Sequence, residues 1–291
     1  MTAELEEPTE QRRRLAALLR DLRAAADLSQ TAFGERAGLD QSKVSRLETG
    51  RQVPTVTDAH AWARGAGLSA QQHVDLVQRA EAALTEAVSW QEELRKGLAA
   101  KQQRIARAEQ AASRLREYAF LVPGLLQTAE YARRVFTLGE GLTPGVVRDV
   151  PAAVTARLER QQLLYEPGRR CEFLVPEAVL RWRPGPPHVQ AAQLDRIAAL
   201  STLESVTFGV IPADAEATAV VPAAFAIFGD PEEAGDDVEV VVSTVTRELH
   251  IRDEPQVSVY LDLWDRLAAV ARNDDDARKL LNAIATELRG S

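Results

Sequence analysis

Cysteine is nearly absent from this chain. Cys171 is the only one in 291 residues, which excludes an internal disulfide and any site built on several thiolates. Its surroundings read as those of a small apolar strand residue and not of a nucleophile. No run of 18 or more apolar residues occurs, and no basic, apolar, small-residue leader, so the sequence predicts neither a membrane span nor a secretory signal and the expected location is the cytoplasm. His60, His73, His188 and His250 are scattered without HxxxH or HExxH spacing, and neither GxxxxGK[ST] nor GxSxG is present. The expectation is therefore no metal, no cofactor, no catalytic residues and no enzymatic activity.

Lysine is also scarce, at Lys43, Lys96, Lys101 and Lys279, and the formal charge is −8. Evenly spread, that charge would repel phosphate, but it is not evenly spread. Arg12, Arg13, Arg14, Arg20 and Arg23 crowd the start, while Glu232, Glu233, Asp236, Asp237 and Glu239, then Asp274, Asp275 and Asp276, crowd the far end. A surface for nucleic acid would be small and N-terminal.

Residues 28–51 read as two short helices joined at a glycine and followed by a basic loop. Ser29 is placed to cap the first helix, Gly38 supplies a left-handed turn, and Asp40 is placed to cap the second. Ala32, Phe33, Ala37, Leu39, Val44 and Leu47 fall on inward faces, leaving Gln30, Gln41, Ser42, Ser45 and Arg46 outward. Polar, fork-shaped side chains thus sit where base edges would be met. A small helical interaction domain with solvated arginines is the alternative reading of the same pattern.

At these residues the segment resembles the XRE (Cro/cI-like) repressors: Ser29-Gln30 opens helix two, Ser45-Arg46-Leu47-Glu48 closes helix three, and Gly50-Arg51 follows. The resemblance covers about residues 11–67. It implies that Gln30 contacts phosphate at the edge of the site, that Gln41, Ser42 and Arg46 read bases, that Lys43, Thr49 and Arg51 contact the backbone, and that Arg23 pairs with Glu48.

The fold class expected is mainly α with an α+β C-terminal part. Residues 1–10 read as a flexible tail and 11–68 as the helix-turn-helix domain of a five-helix Cro/cI-like fold. Leu15, Leu18, Leu19 and Leu22 form the buried stripe of helix one, and Trp62 is a core residue of a helix over 55–66. Residues 69–118 carry apolar residues, Val77 to Leu115, at alternating three and four spacing. They read as a helical connector of two helices, interrupted near Gly97, whose stripe is a dimer seam or an internal packing face.

Residues 119–291 read as an α+β regulatory or partner-binding domain. Strands are expected at 171–175, 206–211, 224–228, 238–242 and 248–251, and helices at 147–165, 189–200, 256–271 and 275–288, giving a mixed or antiparallel sheet flanked by helices. The acidic stretch 230–237 reads as a solvated hairpin loop that binds no cation. Trp182, between Arg181 and Arg183, reads as a helix-ending core residue, with stacking on a ligand or partner as the alternative. A Pro123-Gly124 turn feeds a helix bearing Leu125, Leu126, Ala129 and Tyr131. With Arg160-Gln161-Gln162-Leu163-Leu164, Val179-Leu180-Arg181, Gln193-Leu194 and Val210-Ile211-Pro212, it resembles the uncharacterised C-terminal domain of antitoxin-like XRE regulators from actinobacteria. That resemblance implies no established catalytic residues and a partner encoded nearby, a small protein of unknown function.

Together these features predict a sequence-specific transcriptional regulator that docks residues 41–48 in the major groove of double-stranded DNA as a homodimer. Its C-terminal domain would receive a protein partner or a small molecule. The alternative is an antitoxin-like protein whose main task is neutralising a small partner.

Overall fold

The computed structural model describes residues 10–89, 94, 97–139, 149–233 and 236–290. Of the expected tail over residues 1–10, residues 1–9 lie outside them, while Glu10 is helical. The chain divides into one unit of residues 1–86 with 250–254 and a second of 87–249 with 255–291.

The first unit is helical. Helices α1 (Glu10–Ala25), α2 (Gln30–Ala37), α3 (Gln41–Glu48), α4 (Val56–Ala66) and α5 (Ala70–Leu84) pack around Leu19, Phe33, Val44, Leu47 and Trp62. Trp62 is fully buried, lies 4.5 Å from the Phe33 ring, and donates its indole N–H to the Leu19 carbonyl at 3.2 Å, so its one polar atom is satisfied. Thr55 with Asp58 and Ser69 with Gln72 form capping boxes that start α4 and α5. Leu76, Ala80, Ala83 and Leu84 of α5 belong to this same core. The apolar stripe expected to serve a connector is thus used, over its first turns, to complete the N-terminal bundle.

Beyond α5, the expectation that residues 69–118 are helical throughout is corrected. Thr85–Ser89 is strand β1, Leu98–Ala111 is helix α6, and Arg114–Tyr118 is strand β2. For β2 tertiary pairing decides: it lies parallel to β3 (Arg170–Pro176) with Leu115 opposite Cys171, and antiparallel to β5 (Ala224–Phe228) with Leu115 opposite Phe228.

The second unit holds a mixed sheet. Strand β4 (Val206–Ile211) runs parallel to β3, β6 (Glu239–Ser243) runs antiparallel to β5, and β7 (Arg247–Ile251) follows β6, giving the order β7-β6-β5-β2-β3-β4. The remaining helices are α7 (Ala129–Leu138), α8 (Val150–Arg160), α9 (Glu177–Arg181), α10 (Pro187–Leu200), α11 (Glu254–Ala268) and α12 (Asp274–Arg289). Phe173, Phe208 and Val210 of the sheet form one core with Leu194 and Ile197 of α10 and with Leu281 and Ile284 of α12. Cys171 is buried in that core, and burial pushes its thiol up to about 12. On the other face Tyr118, Phe225 and Tyr260 of α11 form a chain of ring contacts at 5.7 and 5.2 Å. No helix among the described residues is long and apolar enough to cross a membrane.

The Pro-Gly segment is a short 3-10 turn over Gly124–Leu126 that passes into α7 at the Thr128 cap. Buried glutamines satisfy its backbone. Gln127 donates to the Val122 carbonyl at 2.7 Å, Gln193 donates to the Leu126 carbonyl at 2.7 Å and accepts from the Thr128 N–H at 2.7 Å, and Gln161 donates to the Gln127 carbonyl at 2.6 Å. A loop that enters the interior must pair its backbone somewhere, and here side chains do it.

Two further expectations are corrected. The acidic stretch is not simply solvated: Asp230 is buried, 2.7 Å from Arg170 and 3.5 Å from Arg114, and the Asp236 carboxylate accepts from the Ser113 hydroxyl. Trp182 is 42% exposed and not a core residue: the helix ends at Arg181, and Trp182 follows it in an extended conformation between two exposed arginines.

Candidate nucleic-acid interface

Helices α2 and α3 are set by their ends. The Ser29 hydroxyl accepts from the Ala32 N–H and the Asp40 carboxylate from the Lys43 N–H, each occupying an orphan donor of the first turn. Gly38 closes α2 at φ 73°, in the left-handed region. Gly34 is needed for a different reason, which the sequence reading missed: a Cβ there would meet the Leu39 carbonyl oxygen at 2.5 Å, so only a bare backbone lets the turn into α3 fold back over α2.

The expected contact of Arg23 with Glu48 is present and forms the base of a relay. Glu48 is 3% exposed, and both its oxygens face Arg23, one pair at 3.0 Å; Arg23 also donates to the Leu28 carbonyl at 2.7 Å. The hydrogen bond to Glu48 raises the Arg23 pKa above its ordinary value, so the guanidinium is permanently charged. Gln30 donates to Glu48 at 2.8 Å, and Gln41 at the surface donates to Gln30 at 3.0 Å. A buried ion pair thus orients an exposed amide on the first turn of α3 through one intermediate glutamine.

The other expected residues fall as follows. Ser42 is exposed and its hydroxyl bonds Asp40, a contact that, with the Lys43 N–H, holds the Asp40 carboxyl below its usual range. Arg46 is exposed one turn on, donating to the Ser42 hydroxyl at 3.0 Å and to Gln52 at 3.2 Å. Gln41, Ser42 and Arg46 therefore share one outward patch. The Thr49 hydroxyl donates to the Ser45 carbonyl at 2.8 Å, with Ser45 itself half-buried. Arg51 is exposed, and its side chain makes no hydrogen bond or ion pair among the described residues. Lys43 differs: its ammonium lies 2.8 Å from the buried carboxylate of Asp58 on α4. It is committed to packing α3 on α4, a pairing of residues fifteen apart that spacing alone does not reveal.

Sequence reading also missed that His60 and His73 meet, ring nitrogen to ring nitrogen at 2.7 Å, from α4 and α5. Among the described residues no third metal-ligating side chain joins them. The first turns of α3 present donors and acceptors outward, and Arg51, beyond the end of the helix, presents an exposed guanidinium.

A family model described as a helix-turn-helix domain matches residues 14–76, which span these helices as far as the middle of α5. A second, described as a domain of unknown function (DUF5753), matches residues 102–283, from α6 into α12. No curated protein matches the chain.

Proposed function

The chain belongs to the DUF5753 family and carries a helix-turn-helix domain ahead of that region, and from this premise we propose that it is a sequence-specific transcriptional regulator of the XRE type. The observation that carries the reading is the outward patch of Gln41, Ser42 and Arg46, held in register by the Arg23–Glu48–Gln30 relay. Helix α3 enters the major groove, these three side chains meet base edges, and Arg51 meets phosphate. One such helix makes few contacts, so the working form is a homodimer reading half-sites roughly 34 Å apart. The C-terminal domain receives the signal.

The test begins with a preferred duplex selected from a random pool. Arg46→Ala weakens binding to that duplex by about 1–3 kcal/mol and leaves random DNA nearly unaffected, whereas Arg51→Ala weakens both alike and flattens the salt slope by about one unit. Equal losses on both duplexes for Arg46→Ala would remove it from base reading.

A second reading, an antitoxin-like protein that chiefly binds a small partner protein, is favoured by one feature. Trp182 is exposed between exposed Arg181 and Arg183, and tryptophan with arginine is the composition of interface anchors. A small protein that co-purifies with the full chain and is lost on Trp182→Ala supports it; an unchanged yield of that protein from the variant counts against it.

A further inference from the structure

Among the described residues, two of the segments that DNA binding does not use meet at one place in the second unit, through Gly124 and Arg160. Between the sheet and helices α6 and α8 lies a cavity of about 200 Å³, whose walls include Ile105, Ala226, Phe228 and Val241 with Glu117 and Arg157. It exists because β5 presents Ala224 and Ala226 to this face, where larger strand residues would fill the space. A cavity of about 150 Å³ accommodates benzene. This one has room for a molecule of about eight heavy atoms by the same scale.

The charges around it are mostly committed to one another. Glu109 and Arg160 form a two-pronged pair at 2.9 and 2.5 Å, and Glu248 lies 2.8 Å from both Lys101 and Arg104. Two groups are not committed in this way. Arg157 is held by neutral partners, donating to Gln102 at 3.1 Å and Gln127 at 2.7 Å over the Phe136 ring at 4.1 Å, with no carboxylate at ion-pair distance among the described residues. The Glu117 carboxylate makes no hydrogen bond or ion pair among the described residues, although it stands on the sheet face it shares with the core residue Leu115. A half-buried carboxylate with no partner among the described residues is costly, and the cost shows in its titration. Desolvation, helped by the nearby Glu109 carboxylate, pushes Glu117 up to about 7, against the pull of Arg160 and Arg157.

We propose that this cavity binds a small zwitterion of amino-acid size, its ammonium donating to Glu117, its carboxylate accepting from Arg157 and its apolar body resting on Ile105, Phe228 and Val241. The ligand supplies both partners that the fold leaves out, and its net charge of zero leaves the balance of the cavity unchanged. Its use as a signal rests on the proposed regulatory function; its binding does not, and is measured without DNA.

The experiment is calorimetric titration of the full chain at neutral pH with L-leucine and with L-valine as probes. For leucine the analogues are 4-methylpentanoate, which lacks the amino group, and 3-methylbutylamine, which lacks the carboxylate. One of the two amino acids binds saturably, with leucine's analogues, or the matching ones for valine, at least about tenfold weaker. Glu117→Gln, nearly isosteric, weakens binding at least about tenfold, and Ala226→Leu, which fills the cavity, abolishes it. Ala224→Val serves the same purpose if Ala226→Leu does not unfold cooperatively. No binding by either amino acid up to a few millimolar would mean the cavity holds only water, and the proposal falls. It falls equally if the analogue without an amino group binds as tightly as its parent, or if Glu117→Gln binds as the native chain does. An amino acid that binds without altering affinity for DNA supports the site and counts only against its regulatory use.

Discussion

Two glutamates show how the same side chain takes opposite roles from its surroundings. Glu48 is buried but fully paired, with Arg23 and Gln30 on its oxygens, and removing it strands a guanidinium that is mostly withdrawn from water. Glu48→Ala is expected to cost about 3 kcal/mol, at the lower end for a buried pair because Arg23 keeps some exposure. Glu35→Ala, on an exposed position of α2, should cost less than about 0.5 kcal/mol. Thermal melts of the two variants decide this, and equal melting temperatures would show that the pair contributes nothing. Glu117 is half-buried and has no hydrogen-bond or ion-pair partner among the described residues, and desolvation raises its pKa from 4.5 to about 7 in the folded chain. The folded state then holds a proton that the unfolded state releases. The stability this confers is complete below about 4.5 and is lost as pH rises through about 7, with an upper limit of about 3 kcal/mol. Melting curves of the native chain and of Glu117→Gln from pH 5 to pH 8 test the sign, since the variant should gain on the native chain as pH rises. A constant difference between them would place Glu117 in an ordinary, solvated environment.

At the scale of elements, the turn between α2 and α3 separates two uses of glycine. Gly38 has open space around it and needs only its positive φ, so Gly38→Ala should cost about 1–2 kcal/mol and Gly38→Asn less. Gly34 has an ordinary helical conformation but no room, with the Leu39 carbonyl 2.5 Å from any Cβ. Gly34→Ala must therefore push α3 away from α2 and should destabilise more than Gly38→Ala, which denaturant melts of the two variants would order. This region was legible in the sequence because its determinants are local: caps at Ser29 and Asp40, a left-handed glycine, and apolar spacing of 3.6. Strand β2 was not legible. Arg114-Leu115-Arg116-Glu117-Tyr118 carries no strict alternation, and its identity comes from partners more than 50 residues downstream in β3 and more than 100 downstream in β5. The same holds for Asp230, which an acidic loop hides until Arg114 and Arg170 are folded against it, and for Lys43, whose partner Asp58 belongs to the next helix. The resemblance had marked Arg160 and Gln161 without a reason. The reason is a buried amide network that pins the Pro-Gly segment and lines the approach to Arg157.

For the whole molecule, two opposing effects set how tightly DNA is held. The second unit carries most of the acidic residues, and electrostatics alone would have its removal improve binding to phosphate. If the full chain is a dimer through that unit, mass action opposes this, since linking two copies of α3 makes the second half-site contact intramolecular. The fragment that tests the balance must end at residue 86 and not at 68, because Leu76, Ala80, Ala83 and Leu84 complete the core around Trp62. A fragment ending at 68 should be largely unfolded, whereas one ending at 86 should fold and bind random DNA at least as well as the full chain. On the selected duplex the order should reverse, with the full chain tighter by about two orders of magnitude at one fixed salt concentration. Sedimentation of both species on and off DNA supplies the masses. A full chain that remains monomeric on its preferred duplex, or a fragment that matches its affinity, would leave the acidic unit no part in DNA recognition and reduce it to a receiver of ligand or partner.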